Sequence, residues 1–181
     1  SKNYEKVEKV IYTPLNLGTQ EKQLSKEKEL DQNHLYSKYY GIATHYCLEM
    51  MNDFNLNSLE YSLKLSQTRY SNYLNEDDFA SIKTRLELLL ENETFKELIK
   101  NTQFITEQSL LYKEEIKIID LLLFKDDTYY IIDYKTTKEE LQEHKVQVLF
   151  YKKAIKDIFN TQNVKSYLVY LKPQECLIHE V

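Results

Sequence analysis

The sequence predicts an α/β protein of the α+β kind: an N-terminal helical part, then a βββαβ mixed sheet flanked by helices. Three observations carry this. Apolar residues recur every 3.6 positions up to about residue 100 and then, from Thr102, give way to β-rich runs. Three such runs follow one another with connections too short to hold a helix. One more helical stretch and one more strand-like stretch complete the order. A chain of 181 residues suits a single domain that buries most of its unfolded surface.

Residues 1–33 are polar and rich in Lys and Glu, with an apolar island at Val10-Ile11-Tyr12 and a turn signal at Leu17-Gly18-Thr19. They are expected to form a linker-like lead-in, leaving 34–181 as the domain, with a helical part over 34–101 and the βββαβ core over 102–181. From Leu35 to Met51 the stripe Leu35, Tyr39, Ile42, Tyr46, Met50, with Ala43 and Cys47 beside it, predicts a helix with one buried face. Further helices are expected at about 58–70, 77–91 and 94–100; the stretch 77–91 carries Phe79, Ile82, Leu86 and Leu89 on one stripe, and Asn75 or Asp77 can cap it.

The runs 103–112, 115–124 and 128–134 are the three strands, with Lys125-Asp126-Asp127 as the turn between the last two. A helix is expected over about 139–159, with Val148, Tyr151, Ala154, Ile155 and Ile158 on its buried face, then a strand over 164–171 ended by Pro173.

Composition narrows the function. No apolar run is long enough for a membrane span. Cys47 and Cys176 are far apart, supplying neither a disulfide framework nor a paired metal motif, which suits a reducing cytoplasm. The net charge of -5 argues against binding nucleic acid through bulk charge, though a local basic groove or a metal site can overcome it. The start at Ser1, without Met or a signal-like apolar stretch, leads us to expect a piece of a longer chain.

The most informative stretch is Ile131-Ile132-Asp133-Tyr134-Lys135, an apolar strand ending in a carboxylate and an ammonium two residues apart and hence on one face. Such a pair is either a structural salt bridge or part of a site. Asp120 interrupts a second apolar strand, between Ile118-Ile119 and Leu121-Leu122-Leu123. If the two strands are antiparallel about the turn at 125–127, Asp120 and Asp133 lie opposite one another and repel unless a positive group stands between them. A hard divalent cation such as Mg²⁺ answers that need, since it takes oxygen ligands from one or two carboxylates; the competing reading is an Asp120–Lys135 ion pair.

Asp120, then Asp133-Tyr134-Lys135, then Gln147 and Tyr151 in Gln-x-x-x-Tyr spacing, preceded by Gly41-Ile42-Ala43-Thr44-His45, resembles the RecB-like nucleases of the PD-(D/E)xK superfamily over about residues 36–171. In particular it is similar to the C-terminal nuclease domain of RecB- or AddA-type bacterial helicase–nucleases. The ordered set carries the resemblance, because D-x-K alone occurs by chance in many proteins. It implies a restriction-endonuclease-like fold, Mg²⁺-dependent cleavage of DNA phosphodiesters with Mn²⁺ able to substitute, and a part in processing double-strand breaks. By the same resemblance Asp120 and Asp133 are metal carboxylates, the Tyr134 carbonyl is a further ligand, His45 sits at the metal, and Lys135 steadies charge on the phosphate. Gln147 and Tyr151 would border the site, and Glu107 matches a frequent additional acid. Without the resemblance, His45 reads equally as a core-lining or solvent-facing histidine, Tyr151 as core with Gln147 its polar neighbour, and Glu107 as an exposed strand residue.

Two departures sharpen the picture. Relatives that bracket the nuclease with four cysteines hold an iron–sulfur cluster, which two cysteines cannot do. No G-x-x-x-x-G-K-[S/T] occurs, so an ATP-driven helicase would have to lie elsewhere in the same chain or on a partner. The expected partners are then DNA, preferably ends or single strands, and a helicase module. Two other functions stay open: a catalytically inactive nuclease-like module that binds DNA or a partner, and a stand-alone hydrolase of another phosphate ester, against which the lack of a Gly-rich phosphate loop counts.

Overall fold

The computed structural model describes residues 32–181, so the lead-in expected over 1–33 lies almost wholly outside the described residues. Tyr36–Val181 forms one compact unit, described here by itself. Helices α1 (Gln32–Glu49), α2 (Leu56–Tyr70), α3 (Glu76–Glu91) and α4 (Glu93–Ile99) precede strands β1 (Gln103–Tyr112), β2 (Glu115–Lys125) and β3 (Thr128–Lys135), then helix α5 (Gln142–Phe159) and strands β4 (Val164–Leu171) and β5 (Cys176–Glu180). The helices and strands fall where the change of period puts them, with one addition: β5 extends the expected βββαβ core by an edge strand.

Among the described residues the strands form one mixed sheet in the order β1-β2-β3-β4-β5. Only β3 and β4 pair in parallel, joined across α5; every other neighbouring pair is antiparallel. The β1–β2 connection turns on Lys113 and Glu114, and the β2–β3 connection on Asp126 and Asp127, all four at positive φ. Two consecutive left-handed residues are what a tight hairpin needs to match the strands' twist.

The sheet is covered on both faces. Leu121, Leu123, Ile132, Tyr134, Tyr167, Val169 and Leu171 pack with Ala43, Leu59, Ile82, Leu86 and Leu89 of the helical part. On the other face, Leu122, Ile131 and Val164 pack with Tyr151, Ala154 and Ile155 of α5, and Leu168 and Tyr170 pack with Val148. Asn75 does cap α3, accepting from the Asp78 N–H while the Asp78 carboxylate accepts from the Asn75 N–H.

Three expectations are corrected. In α1 the buried face is Tyr40, Ala43, Thr44, Cys47 and Leu48, whereas Tyr39, Ile42, Tyr46 and Met50 are only half-buried. Small residues let α1 lie close to its neighbours, and the larger ring of Tyr39 stacks at the rim on Tyr73 with centroids 3.9 Å apart. In α5, Ile158 is exposed, and Phe159 takes the last contact by stacking on Tyr129. Helix α5 also begins at Gln142 rather than 139, because 136–141 forms an irregular bridge from β3 in which Glu140 pairs with Lys172 and His179.

None of the described helices is long and apolar enough to cross a membrane. Asn75→Ala should lower stability by about 1 kcal/mol, the usual cost of losing an N-cap acceptor. In urea the midpoint should fall with the slope unchanged.

Candidate active site

The site lies where two paired strands part company. β2 and β3 are registered from Lys125↔Thr128 to Leu121↔Ile132, and one further step in that register sets Asp120 opposite Asp133. On the other side of β2, the pairs Thr106↔Leu121 and Gln108↔Ile119 bracket Glu107 opposite Asp120. Three carboxylates therefore stand in one row across three strands. Beyond the row β3 stays with β4 as far as Lys135↔Tyr170, while no further β2–β3 pair forms among the described residues.

At the parting point the Tyr134 N–H, which a continued β2 would have paired, donates to Asp120 Oδ2 at 2.7 Å. The other carboxylate oxygen, Oδ1, is 3.3 Å from His45 Nδ1. His45 comes from α1, whose close approach depends on Gly41 one turn earlier: a Cβ there would stand 3.3 Å from Thr136 Oγ1. Arg85 of α3 holds the same corner, donating to the Leu171 carbonyl at 2.8 Å and lying 4.9 Å from the Tyr40 ring centroid.

Glu107 has a φ of 51°, a left-handed conformation that costs a non-glycine residue of order 1–3 kcal/mol. Strand alternation reverses there. Phe104 packs against the helical part whereas Leu110, six residues on, packs with α5; Ile119 and Leu121, flanking Asp120, likewise go to opposite faces. Glu107 and Asp120 thus occupy the reversal itself, and oxygens of both carboxylates lie within 4.8 Å of each other and of a His45 ring nitrogen.

Asp133 faces α5 and is almost fully buried. Lys135 Nζ is 2.8 Å from Asp133 Oδ2, close enough for an ion pair but not aligned for a hydrogen bond, and it donates to Gln147 Oε1 at 2.9 Å. Gln147 Nε2 in turn donates to the Tyr151 hydroxyl at 2.8 Å. Lys135 therefore pairs with Asp133 and not with Asp120.

The electrostatics record an excess of negative charge. Burial, then Asp120 and Glu49, push the Glu107 carboxyl up to about 7 against the pull of His45. Burial and the Asp120 charge also hold Asp133 above the usual carboxylate range, although Lys135 and His45 oppose them. Burial works against charge on His45, but Asp120, with Asp133 and Glu107 behind it, outweighs it and lifts the imidazole to about 9. Burial, then Asp133, drive the Tyr151 phenol up to about 12.

The profile of the PD-(D/E)XK nuclease superfamily matches residues 17–179. The chain belongs to the PD-(D/E)XK nuclease superfamily. No curated protein matches it. Among solved structures, SSO0001 is matched at 16% identity over 91% of this chain and 74% of that one, with a TM-score of 0.36. VC1899 from Vibrio cholerae is matched at 12% identity over 80% of this chain and 48% of that one, with a TM-score of 0.33. The chain thus spans about half the length of VC1899.

For a PD-(D/E)XK nuclease, a superfamily that typically depends on a divalent metal, the donor set fits a hard or borderline cation: carboxylates crowded past their mutual repulsion, with one imidazole beside them. The structure brings His45, Glu107 and Asp120 together on one side of the row, and Asp133, Lys135, Gln147 and Tyr151 on the other. Tyr134 enters through its backbone, while its ring turns to the opposite face and is buried. Sequence reasoning passed over His144 and Tyr170, whose 3.0 Å hydrogen bond lies beside Lys135; the signal present was the three-residue spacing of His144 and Gln147.

Glu107 gives a signed test. Its folded carboxyl titrates near 7 against 4.5 for the free group, so the fold holds this proton more tightly than the unfolded chain does. Its contribution to stability is complete below about 4.5 and is lost as pH rises through about 7. The melting temperature of the metal-free wild type, relative to Glu107→Gln, should fall by a few degrees between those values, read by circular dichroism. A flat difference would show that Glu107 does not feel the row.

Proposed function

We propose that this chain is a DNA nuclease domain that hydrolyses phosphodiester bonds with Mg²⁺ as cofactor, Mn²⁺ being able to substitute. What supports it most is the row Glu107, Asp120, Asp133 at the parting of β2 and β3, with Lys135 two residues beyond it. Asp120, Asp133, Glu107, His45 and the Tyr134 carbonyl would hold the cation. When bound, it supplies Lewis-acid charge at the phosphate and at the attacking water.

The chain's own residues do the remainder. In hydrolysis a water oxygen bonds to phosphorus as the bond from phosphorus to a sugar oxygen breaks, and charge spreads over the phosphoryl oxygens. Lys135 is the cation to meet that charge, and a preorganised cation costs no rearrangement at the moment of reaction. Gln147 fixes its direction, and Tyr151 fixes Gln147 in turn. While the row is metal-free, His45, lifted to about 9, supplies a counter-charge beside Asp120, a proton it gives up to hold the cation.

The wider setting we propose is the nuclease part of a RecB/AddA-type helicase–nuclease that processes DNA double-strand breaks, with the helicase in the same chain or complex. The ordered set from Gly41 and His45 to Gln147 and Tyr151 supports that reading, as does a net charge that suits a domain fed by a motor. Two unpaired thiols, Cys47 and Cys176, suit the cytoplasm.

Linear single- and double-stranded DNA incubated with Mg²⁺, with Mn²⁺ and with chelator tests the chemistry directly. Cleavage that needs the metal is expected; DNA binding without cleavage under every condition would favour the inactive-module reading. Calorimetry with Mn²⁺ should show binding that collapses in Asp120→Ala and Asp133→Ala. Lys135→Ala should keep fold and metal binding while losing about 10²–10³ in cleavage rate, the usual cost of removing one transition-state donor. If it cuts at the parent rate, Lys135 is only Asp133's structural partner.

The isolated domain should bind DNA weakly with a shallow salt dependence, since counterion release scales with the number of phosphates neutralised. Joining it to its helicase should raise cleavage strongly. Tight, steeply salt-dependent binding by the isolated domain would contradict the motor-fed reading.

A further inference from the structure

Lys135 and Tyr170 are register partners on β3 and β4, so their side chains leave the sheet next to one another on the α5 side. Helix α5 meets both from above: Gln147 accepts from Lys135 at 2.9 Å, and His144, one turn earlier, is 3.0 Å from the Tyr170 hydroxyl through Nδ1. Gln147 is accounted for by its link to Tyr151. His144 is not, because only one of its ring nitrogens is engaged.

Tyr170 is buried and its ring is fixed, edge-on to His179 at 5.9 Å, so it makes a rigid seat. His144 itself is half-exposed. Burial, then the nearby Lys135 ammonium, hold His144 below the usual imidazole range, against the pull of Glu143, which keeps the ring neutral at pH 7. The phenol can donate to Nδ1 of the neutral ring, and in that tautomer the ring proton stands on Nε2. Among the described residues Nε2 meets no hydrogen-bond partner.

Two lysines stand nearby, Lys135 paired with Asp133 and Lys172 paired with Glu140. Lys172 lies 6.0 Å from the Tyr170 ring centroid, and Lys172 and His179 share the single carboxylate of Glu140. A donor on a half-exposed ring, one helix turn from Gln147 and through it next to Lys135, suits an anion on the same strand.

We propose that His144, seated on Tyr170 through Nδ1, donates from Nε2 to a DNA phosphate flanking the scissile one, so that His144 and Lys135 engage neighbouring phosphates of the substrate strand. His144 is then a substrate-binding residue and Tyr170 its positioning residue. The inference rests on the DNA-nuclease reading above.

Two substitutions separate this role from a structural one. Asn at 144 can keep the Nδ1-like contact with Tyr170 but cannot reach outwards; Gln can place an amide N–H near the position of Nε2. His144→Asn should raise KM for a short single-stranded oligonucleotide about tenfold, the scale of one lost phosphate contact, with kcat changed much less. His144→Gln should recover much of that loss, and Tyr170→Phe should show a milder rise in KM.

A second readout needs no turnover. In chelator, with carbon-13-labelled histidines assigned by single His→Gln variants of the four, the His144 resonance should shift on adding the same oligonucleotide, and fluorescence anisotropy should show weaker binding by His144→Asn. If wild type cuts DNA while His144→Asn keeps wild-type KM and affinity and the resonance stays still, the proposal falls and the nuclease reading stands. If wild type binds without cutting, the nuclease reading falls and the resonance and anisotropy still decide for or against His144. If wild type neither binds nor cuts, both fall.

Discussion

A single hydrogen bond, from the Tyr134 N–H to the Asp120 carboxylate, lets two strands separate without leaving a buried backbone donor unpaired. β3 lies inside the sheet, with β4 on one side for its whole length. Its other side loses β2 after Ile132, and an orphaned buried N–H there would cost about 1–3 kcal/mol. The Asp120 oxygen takes the place of the missing strand. Because an ionised acceptor bonds more strongly than a carbonyl, the side chain is pinned as firmly as a backbone group would be. Its second oxygen is thereby aimed at His45, while Asp133 and Lys135 leave β3 towards α5.

The same geometry explains why the charges do not cancel. Glu107, Asp120 and Asp133 are held in a row by register, and register is fixed by long apolar runs that cannot slip by one residue without turning their side chains to the wrong face. The carboxylates cannot move apart, so burial first and then their mutual repulsion leave Glu107 and Asp133 reluctant to ionise, while the same negative charges hold the proton on His45. The left-handed Glu107 adds backbone strain at the same point. Strain and charge excess concentrated in one place, in a fold otherwise regular in its packing, mark a site shaped by binding demands rather than by stability.

The sheet was legible because the apolar runs Leu121–Leu123 and Ile131–Ile132 are buried, and the hairpin turns carry residues that tolerate positive φ. The opposition of Asp120 and Asp133 followed from period and turn position alone. What escaped was whatever depends on a single dihedral or on distant packing. Nothing in Thr106-Glu107-Gln108 announces that alternation reverses there, so Leu110 and Tyr112 were not foreseen as the face turned to α5. In α1 the small Ala43, Thr44 and Cys47, flanked by Tyr40 and Leu48, mark the buried side, and most of the large residues of the expected stripe do not. Strand β5 is short, follows the break at Pro173, and gains its order from pairing with β4, so its local pattern is weak.

The distribution of charge about Lys135 also gives the site a direction. On one side stand the row of acids and His45; on the other stand His144, Lys172 and His179, with Glu140 between the last two. On the nuclease reading, a polyanion cannot lie over the acids until their charge is neutralised, whereas the other side offers it the lysines Lys135 and Lys172. A strand held there meets Lys135 at the boundary, with the reacting phosphate between the group that grips and the groups that crowd.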